Sequence, residues 1–350
     1  MPLDSPPSSL CLLRTSAIGD VTHVVPLVRT LQTAWPDTAL TWIVGKLERK
    51  LVGDIAGVEF VTFDKSAGLA GMRAVRRTLH GRRFDALLHM QVALRSNLLS
   101  RVVCAKRRIG YDRARSRDLH GWFINERIPA RHGEHVLDAL GSFVEPLGLK
   151  QTNVRWDIPI SDEAYAWACE QLPGDAPTLA VSPSSSHALR NWRPERYAQV
   201  IDHAAARGLR VCLTGGPSDN ERRMADAILA ATHSHPIDLT GKDTLKKALA
   251  LFARVPMLLT PDSGPMHMAN TVGCKVIGLH AASNPERSGP YSDRRWCVNR
   301  YDEAARQFLG KPAAELPWGK KIEKPGVMDL ITVDDVIERL DALCAERGLP

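Results

Sequence analysis

The chain has 350 residues, 44% of them hydrophobic and 24% charged, with a formal charge of +7. That length exceeds one small core and suits two domains, and the composition is that of a globular protein rather than a disordered or fibrous one. No apolar run reaches the ~18 residues of a membrane span. The seven cysteines (Cys11, Cys104, Cys169, Cys212, Cys274, Cys297 and Cys344) are scattered without CxxC spacing, which argues against a disulfide framework or zinc site and for reduced thiols in a cytoplasm.

The first ten residues carry prolines and an acidic residue but no Lys or Arg, so they read as a loose tail and not as a signal peptide. Leu10, Leu12 and Leu13 then predict a strand over 10–13. Arg14 to Asp20 form a turn containing Gly19, and Val21, Val24, Val25 and Leu27 follow at helical spacing. A turn from a strand into a helix N-terminus is where open α/β sheets bind ligands. Asp20 sits in that turn, either as a helix cap or as a working carboxylate. Further strands are predicted over 40–44, 58–63, 86–90 and 108–110. Helices are predicted over 21–34, 47–52, 67–80 and 93–103. This alternation predicts a parallel sheet covered on both faces.

Arginine is concentrated late in this half: Arg73, Arg76, Arg77, Arg82 and Arg83, then Arg113, Arg115 and Arg117 behind Gly110, Tyr111 and Asp112. Solvated helix faces and loops are one reading, a basic rim for an anionic substrate the other. The net charge fits an anionic partner, but few aromatics interleave with the basic residues, which disfavours nucleic acid.

A helix is predicted over 132–147. The segment 156–160 reads as the crossing into a second domain, with Ser161 as cap of the next helix. The rhythm then restarts with strands over 179–182, 210–214, 237–239, 255–259 and 276–279. The helices between them span 194–207, 219–231 and 245–253, with one more from 265. An amphipathic helix over 333–346 places Val333, Val336, Ile337, Leu340 and Leu343 on one face. Two Rossmann-like halves would leave a cleft, with ligands at the carboxyl ends of strands, hence at the loops after Leu13, Val181, Leu213 and Leu259.

Three loops carry candidate chemistry. Ser182, Pro183, Ser184, Ser185, Ser186 and His187 precede Arg190, Asn191, Trp192, Arg193 and Pro194. Small hydroxyl residues let backbone N–H groups approach a phosphate that a guanidinium can clamp, although a serine-rich turn before a helix remains the alternative. Gly215 and Gly216 make a tight turn, and Glu221 behind it could accept from ribose hydroxyls or simply suit the helix dipole. Asp262, Ser263, Gly264 and His267 follow an apolar strand and open a helix, which suits a pyrophosphate or a sugar, with His267 alternatively a packed helix residue.

Together these stretches carry a family resemblance. The run Leu13-Arg-Thr-Ser-Ala-Ile-Gly-Asp-Val-Thr-His-Val-Val-Pro26 resembles the N-terminal motif of the bacterial lipopolysaccharide heptosyltransferases, glycosyltransferase family 9. Arg190-Asn-Trp-Arg-Pro194 is similar to that family's basic–x–Trp–(x)–Pro element, and Asp262-Ser-Gly-Pro-Met-His267 to its D-[ST]-G-x-x-H motif. Ser283-Asn-Pro-Glu-Arg-Ser-Gly-Pro-Tyr291 resembles the Pro-containing loop that follows. One departure is Arg190, where the family often has Lys, a non-equivalent cation.

The resemblance implies an α/β GT-B fold, two facing Rossmann-like domains. Residues 1–160 would bind the acceptor and 161–331 the nucleotide sugar, with the last helix, 332–350, packing back on the first domain. It implies ADP-L-glycero-D-manno-heptose as donor and Kdo–lipid A as acceptor, no other cofactor, and a cytoplasmic enzyme peripheral at the inner face of the inner membrane. Asp20 takes the place of the general base in an inverting transfer. Ser185, Ser186 and Arg190 fall where the diphosphate is held, Glu221 near the ribose, and Asp262 at the donor sugar, with Ser263, Gly264 and His267 in the same motif. Arg73, Arg113, Arg115 and Arg117 would receive carboxylate and phosphate groups of the acceptor. No DxD motif occurs, so no obligatory metal is expected. The loop 109–118 looks most like heptosyltransferase I-type enzymes. A heptosyltransferase II type, another nucleotide-sugar transferase or a non-catalytic sugar-nucleotide binder are the alternatives. A NAD-dependent dehydrogenase is poorly supported, because no GxGxxG follows the first strand.

Overall fold

The computed structural model describes residues 5–151 and 153–350. The chain forms two compact units, Met1–Pro159 and Ile160–Pro350. In the first, six parallel strands make one sheet: β1 (Ser9–Leu13), β2 (Ala39–Gly45), β3 (Val58–Phe63), β4 (Phe84–His89), β5 (Ala105–Gly110) and β6 (Glu126–Arg127), in the order β3-β2-β1-β4-β5-β6. Parallel neighbours cannot be joined by a tight turn, so helices cross over and cover both faces. The central strand is accordingly apolar throughout: Leu10, Cys11, Leu12 and Leu13 are fully buried. Register is direct, with Leu10 opposite Leu40 and Ala86, and Leu13 opposite Ile43 and His89. Val75, Leu79 and Leu99 from crossover segments close one face over Cys11, Leu13, Ile43 and Phe63.

The second unit repeats the plan with β7 (Thr178–Val181), β8 (Arg210–Leu213), β9 (Ile237–Asp238), β10 (Met257–Pro261), β11 (Lys275–His280) and β12 (Val298–Asn299), in the order β12-β11-β10-β7-β8-β9. Numbered from its own first strand, each sheet runs 3-2-1-4-5-6, the dinucleotide-binding order, which reverses direction between its first and fourth strands. Those switch points fall at β1/β4 and β7/β10.

Some elements depart from the sequence pattern. The short edge strands β6 and β12 have too few residues to show a period. The single helix predicted over 132–147 is instead a short helix, Val136–Gly141, continued by a 3-10 turn, Ser142–Leu147, that contains Pro146. Proline lacks the N–H that an α-helical interior needs. The N-terminal tail expected to be loose lies outside the described residues over 1–4. From Pro7 it is tied down, because Thr38 Oγ1 donates to the Pro7 carbonyl at 2.6 Å and Ser8 Oγ to Asp85 at 2.9 Å.

The last helix, Val333–Arg347, starts at a capping box in which Thr332 and Asp335 exchange backbone-to-side-chain bonds at 3.0 and 3.1 Å. The resemblance expects this helix on the first domain. Its apolar stripe, Val336, Leu340, Leu343 and Cys344, is instead buried in the second unit's own core with Trp192, Tyr197 and Val200. All seven cysteines are free thiols, and among the described residues no helix is long and apolar enough to cross a membrane.

A buried polar knot ties β4 to the turn after β5. Asn97 Oδ1 accepts from His89 Nε2 and His120 Nδ1, each at 2.8 Å, while the Tyr111 N–H donates to His120 Nε2 at 3.2 Å. This pattern fixes His120 as a neutral ring with its proton on Nδ1. A second proton would face the Tyr111 N–H, donor against donor. Burial therefore dominates, lowering His89 to about 3 and His120 to about 4 from an ordinary 6.5. The unfolded chain takes up these protons near pH 6.5, and the folded chain only near pH 4 or below. Stability is full above pH 7 and falls as pH drops through that window, by about 1.4 kcal/mol per unit for each ring. Urea unfolding from pH 7 to pH 5 is expected to show this fall, and a His120→Gln protein a shallower one.

Candidate functional site

In the first unit the chain leaves β1 at Arg14 and enters helix Ile18–Ala34. Asp20 is the third helical residue, and its Oδ2 accepts the Ala17 N–H at 3.1 Å and pairs with Arg14 Nη2 at 2.5 Å. The same guanidinium donates to the Met90 carbonyl just past β4. Thr15 donates twice to Gln91 Oε1, each time at 2.9 Å. The two loops at the switch point are thus joined across it. Burial alone would lower the Arg14 pKa; Asp20 and Tyr111 outweigh it and hold Arg14 above its ordinary value, hence always charged. The Asp20 side chain keeps 32% of its exposure, so a solute can reach the carboxylate that Arg14 orients. Asp20 is a cap and an accessible, ion-paired acid at once.

The four arginines expected to receive the acceptor are in different situations. Arg113 and Arg117 line a groove of about 490 Å³ together with Ser116, Leu119, Trp122 and Arg127. Arg115 turns into the protein: it pairs with Asp112, with Glu134 at 2.7 Å and with the Pro129 carbonyl at 2.9 Å, and its guanidinium lies over the Tyr111 ring. Its donors hold the loop together. Arg73 is exposed on helix Gly68–Thr78 and is not among the residues lining the groove.

In the second unit, the loops after β7 and β10 meet at the switch point. Asp262 follows β10 and is 8% exposed. Arg190 Nη1 stands 3.8 Å and Lys321 Nζ 3.6 Å from its Oδ2. Burial would raise the Asp262 pKa, but His280, Lys321, His267 and Arg190 more than offset it and hold the carboxyl below its ordinary range. Arg190 also gives two donors to Glu323 Oε1, at 2.8 and 2.5 Å, and His187 Nε2 lies 3.6 Å from the other Glu323 oxygen. Two carboxylates and two permanent cations therefore share one partly buried spot. The Ser263 hydroxyl bonds Thr260 Oγ1 at 2.9 Å, and helix Gly264–Thr271 starts beside it with His267 buried one turn in.

Neighbouring groups fix these loops. The Ser185 N–H donates to Asn191 Oδ1 at 2.7 Å, and its hydroxyl donates to the His187 carbonyl at 3.1 Å. The first of these occupies one backbone donor that the sequence offers to a phosphate; Ser186 is the next residue along. Glu221 accepts from the Gly216 N–H at 2.7 Å and from Ser218 Oγ at 2.5 Å, so it shapes the 215–218 turn. A carboxylate has about four acceptor sites and can still take a ribose hydroxyl. Trp192, in the middle of the Arg-Asn-Trp-Arg-Pro motif, is 1% exposed and donates to the Ile331 carbonyl at 3.0 Å. It is an anchor for the Arg190 turn.

Sequence reasoning misses several members of the site. Arg14 sits inside the quoted N-terminal motif, yet only the fold turns it onto Asp20. Lys321 and Glu323 lie in a charged loop between Pro317 and Gly326, with no periodic signal. Asp243, which accepts from Thr214 Oγ1 at 3.1 Å, is pushed up to about 6, first by burial and further by Glu221. Among the described residues, no group of three or more His, Cys, Asp or Glu side chains could hold a metal ion.

Comparison with known proteins bears on this arrangement. Residues 72–322 match the model of glycosyltransferase family 9 (heptosyltransferase). The lipopolysaccharide core heptosyltransferase OpsX of Haemophilus influenzae is 38% identical, over 96% of this chain and 97% of that protein. Its name does not single out the heptosyltransferase I type that the 109–118 loop resembles. A glycosyl transferase family 9 crystal structure from Veillonella parvula superposes with a TM-score of 0.85 at 22% identity, covering 99% of this chain and 100% of the other. Escherichia coli heptosyltransferase WaaC, solved with ADP, gives 0.70 at 16% identity, covering 96% and 99%. These likenesses establish the GT-B type of fold. By the family match and the identity to OpsX, this chain belongs to glycosyltransferase family 9 and is a heptosyltransferase of lipopolysaccharide core synthesis.

Proposed function

We propose that the chain transfers L-glycero-D-manno-heptose from ADP-heptose to Kdo of the lipopolysaccharide inner core, with inversion at the anomeric carbon. The observation that carries this reading is the charge array at the β7/β10 switch point, where buried Asp262 is flanked by Arg190 and Lys321. Such an array suits a sugar diphosphate: cations for the diphosphate and a carboxylate for sugar hydroxyls. The WaaC relative was solved with ADP, in line with this donor. In this reading Ser186, Arg190 and the Ser263–Gly264 helix start hold the diphosphate, Asp262 and His267 border the sugar, and Glu221 meets the ribose.

Asp20 is the general base. It takes the proton of the Kdo hydroxyl as that oxygen attacks the anomeric carbon and the bond to the ADP oxygen breaks. The negative charge that develops on the diphosphate is met by Arg190, already charged and in place. Arg14, paired with the Asp20 carboxylate at 2.5 Å, aims it. Arg113 and Arg117 receive the acceptor's anionic groups, and Arg115 supports their loop. The acceptor is a glycolipid, so the enzyme works in the cytoplasm as a peripheral protein at the inner face of the inner membrane. A heptosyltransferase II type, using an already heptosylated acceptor, is the second reading, since OpsX carries neither designation. Incubation with ADP-heptose and either Kdo–lipid A or its heptosylated form, followed by product mass and ADP release, decides between them.

Three outcomes are expected on the reaction and on donor binding. Asp20→Asn should lower kcat by about 10²–10⁴-fold while ADP affinity, measured by calorimetry, stays near wild type. Loss of the charge-assisted bonds in Arg190→Ala should weaken ADP binding about 10–100-fold. Glu323 holds the same guanidinium. Glu323→Gln should therefore tighten ADP binding about two- to fivefold, the scale of a partly exposed ion pair.

A further inference from the structure

The first unit carries an apolar surface that adjoins the Arg113–Arg117 groove and shares Leu119 and Trp122 with it. Eight large apolar side chains are exposed among the described residues, and four of them, Leu94 (48%), Leu98 (46%), Leu119 (57%) and Trp122 (73%), stand on two segments that lie side by side. Three hydrogen bonds establish this. The Leu94 N–H donates to Asp118 Oδ2 at 3.1 Å, Asn97 Nδ2 to the Asp118 carbonyl at 2.8 Å, and Arg101 Nη2 to the Trp122 carbonyl at 3.0 Å. The 118–122 turn thus lies along helix Leu94–Ser100. Leu94 and Leu98, four residues apart, share the helix face that continues to Arg101.

The turn is held in a costly conformation. Asp118 and Leu119 have φ of 49° and 61°, in the left-handed region that side chains with a Cβ seldom enter. The Asn97–His120 knot fixes it from beneath. A local strain that keeps a leucine and a tryptophan in solvent calls for a reason beyond folding.

The charge around the patch is mainly positive, with Asp118 the one exposed acid within 94–122. Arg95, Arg101, Arg113, Arg117 and Arg127 are all exposed. The two acids within 94–122 are engaged, Asp112 with Arg115 and Asp118 with the Leu94 N–H. A second copy docked here through the same face would set arginine against arginine. An anionic bilayer offers both things the patch lacks: phosphate for the guanidiniums and an interfacial layer for Trp122 and the leucines.

We infer that Leu94, Leu98, Leu119 and Trp122, ringed by these arginines, form the surface by which the enzyme docks on an anionic lipid bilayer. This rests on the reading of the acceptor as a membrane glycolipid and names the part of the protein that reaches it. Trp122 and the leucines enter the headgroup layer, the arginines contact lipid phosphates, and the Arg113–Arg117 groove in the same turn is brought to the membrane plane.

Flotation with vesicles of phosphatidylcholine, alone or mixed with phosphatidylglycerol, tests this, with ADP binding measured in parallel. The wild type should float with the mixed vesicles, float poorly with phosphatidylcholine alone, and be released by salt. Leu119→Ser/Trp122→Ser should lower flotation on the order of tenfold or more, as expected for two apolar side chains withdrawn from the interface, with ADP affinity unchanged. Tyr165→Ser, an exposed aromatic of the second unit, should float like wild type. If wild type floats and both Leu119→Ser/Trp122→Ser and Leu94→Ser/Leu98→Ser float equally well, the patch assignment is overturned while the membrane reading stands. If wild type floats on neither vesicle, that reading falls and this surface with it. Equal flotation on both vesicle types overturns the anionic specificity. Should the first double variant lose its cooperative urea unfolding, and hence its fold, Leu94→Ser/Leu98→Ser decides.

Discussion

A parallel strand must be followed by a crossover, and that constraint orders both halves of this protein. Every strand in either sheet points the same way as its neighbours, so all carboxyl ends lie on one edge of the sheet. The chain is then obliged to put its turns from strand to helix there. Arg14, Asp20 and Gln91 gather at that edge of the first unit, and Arg190, Glu221 and Asp262 at that of the second. Where the strand order reverses, the turns after β1 and β4, and after β7 and β10, stand side by side, and Arg14, Asp20 and Gln91, then Arg190 and Asp262, meet there.

Buried charge is the second organising theme. A carboxylate as enclosed as Asp262 is tolerable only with compensation, and Arg190, Lys321 and the neighbouring histidines supply it. Removing one cation would leave the others to hold an uncompensated charge, so the array acts as a unit. The same logic runs at Asp20, where Arg14 both neutralises and aims the acid. Arg14 in turn is fixed by the Met90 carbonyl across the switch point. These ion pairs also hold the loops.

The arginine-rich stretch shows how one composition serves several ends. Arg107 and Arg108 fasten β5 to Glu126 and to the Phe123, Val103 and Ser100 carbonyls. Arg115 secures the following loop. Arg113 and Arg117 are left facing solvent beside an exposed tryptophan and leucine. Solvated surface and structural clamp are both present within this one stretch. Only the contacts sort them.

Local pattern was enough for the architecture, because hydrophobic period and turn residues are written within ten residues of each other. The runs ending at Leu13, Val181, Leu213 and Leu259 announce buried parallel strands, and the motifs around Asp20, Arg190 and Asp262 fall at their carboxyl ends. Failures were local conflicts or missing period: Pro146 breaking a predicted helix, and β6 and β12 too short to alternate. Long-range pairing is another matter. Nothing near Arg190 names Glu323 as its partner, more than a hundred residues on, and the stripe of the last helix fits any apolar groove. The sequence alone determined which residues are apolar, which are charged and which turns follow strands. The tertiary structure decided which charges meet and which core each stripe enters, because those energies depend on distance and burial rather than on neighbours in the chain.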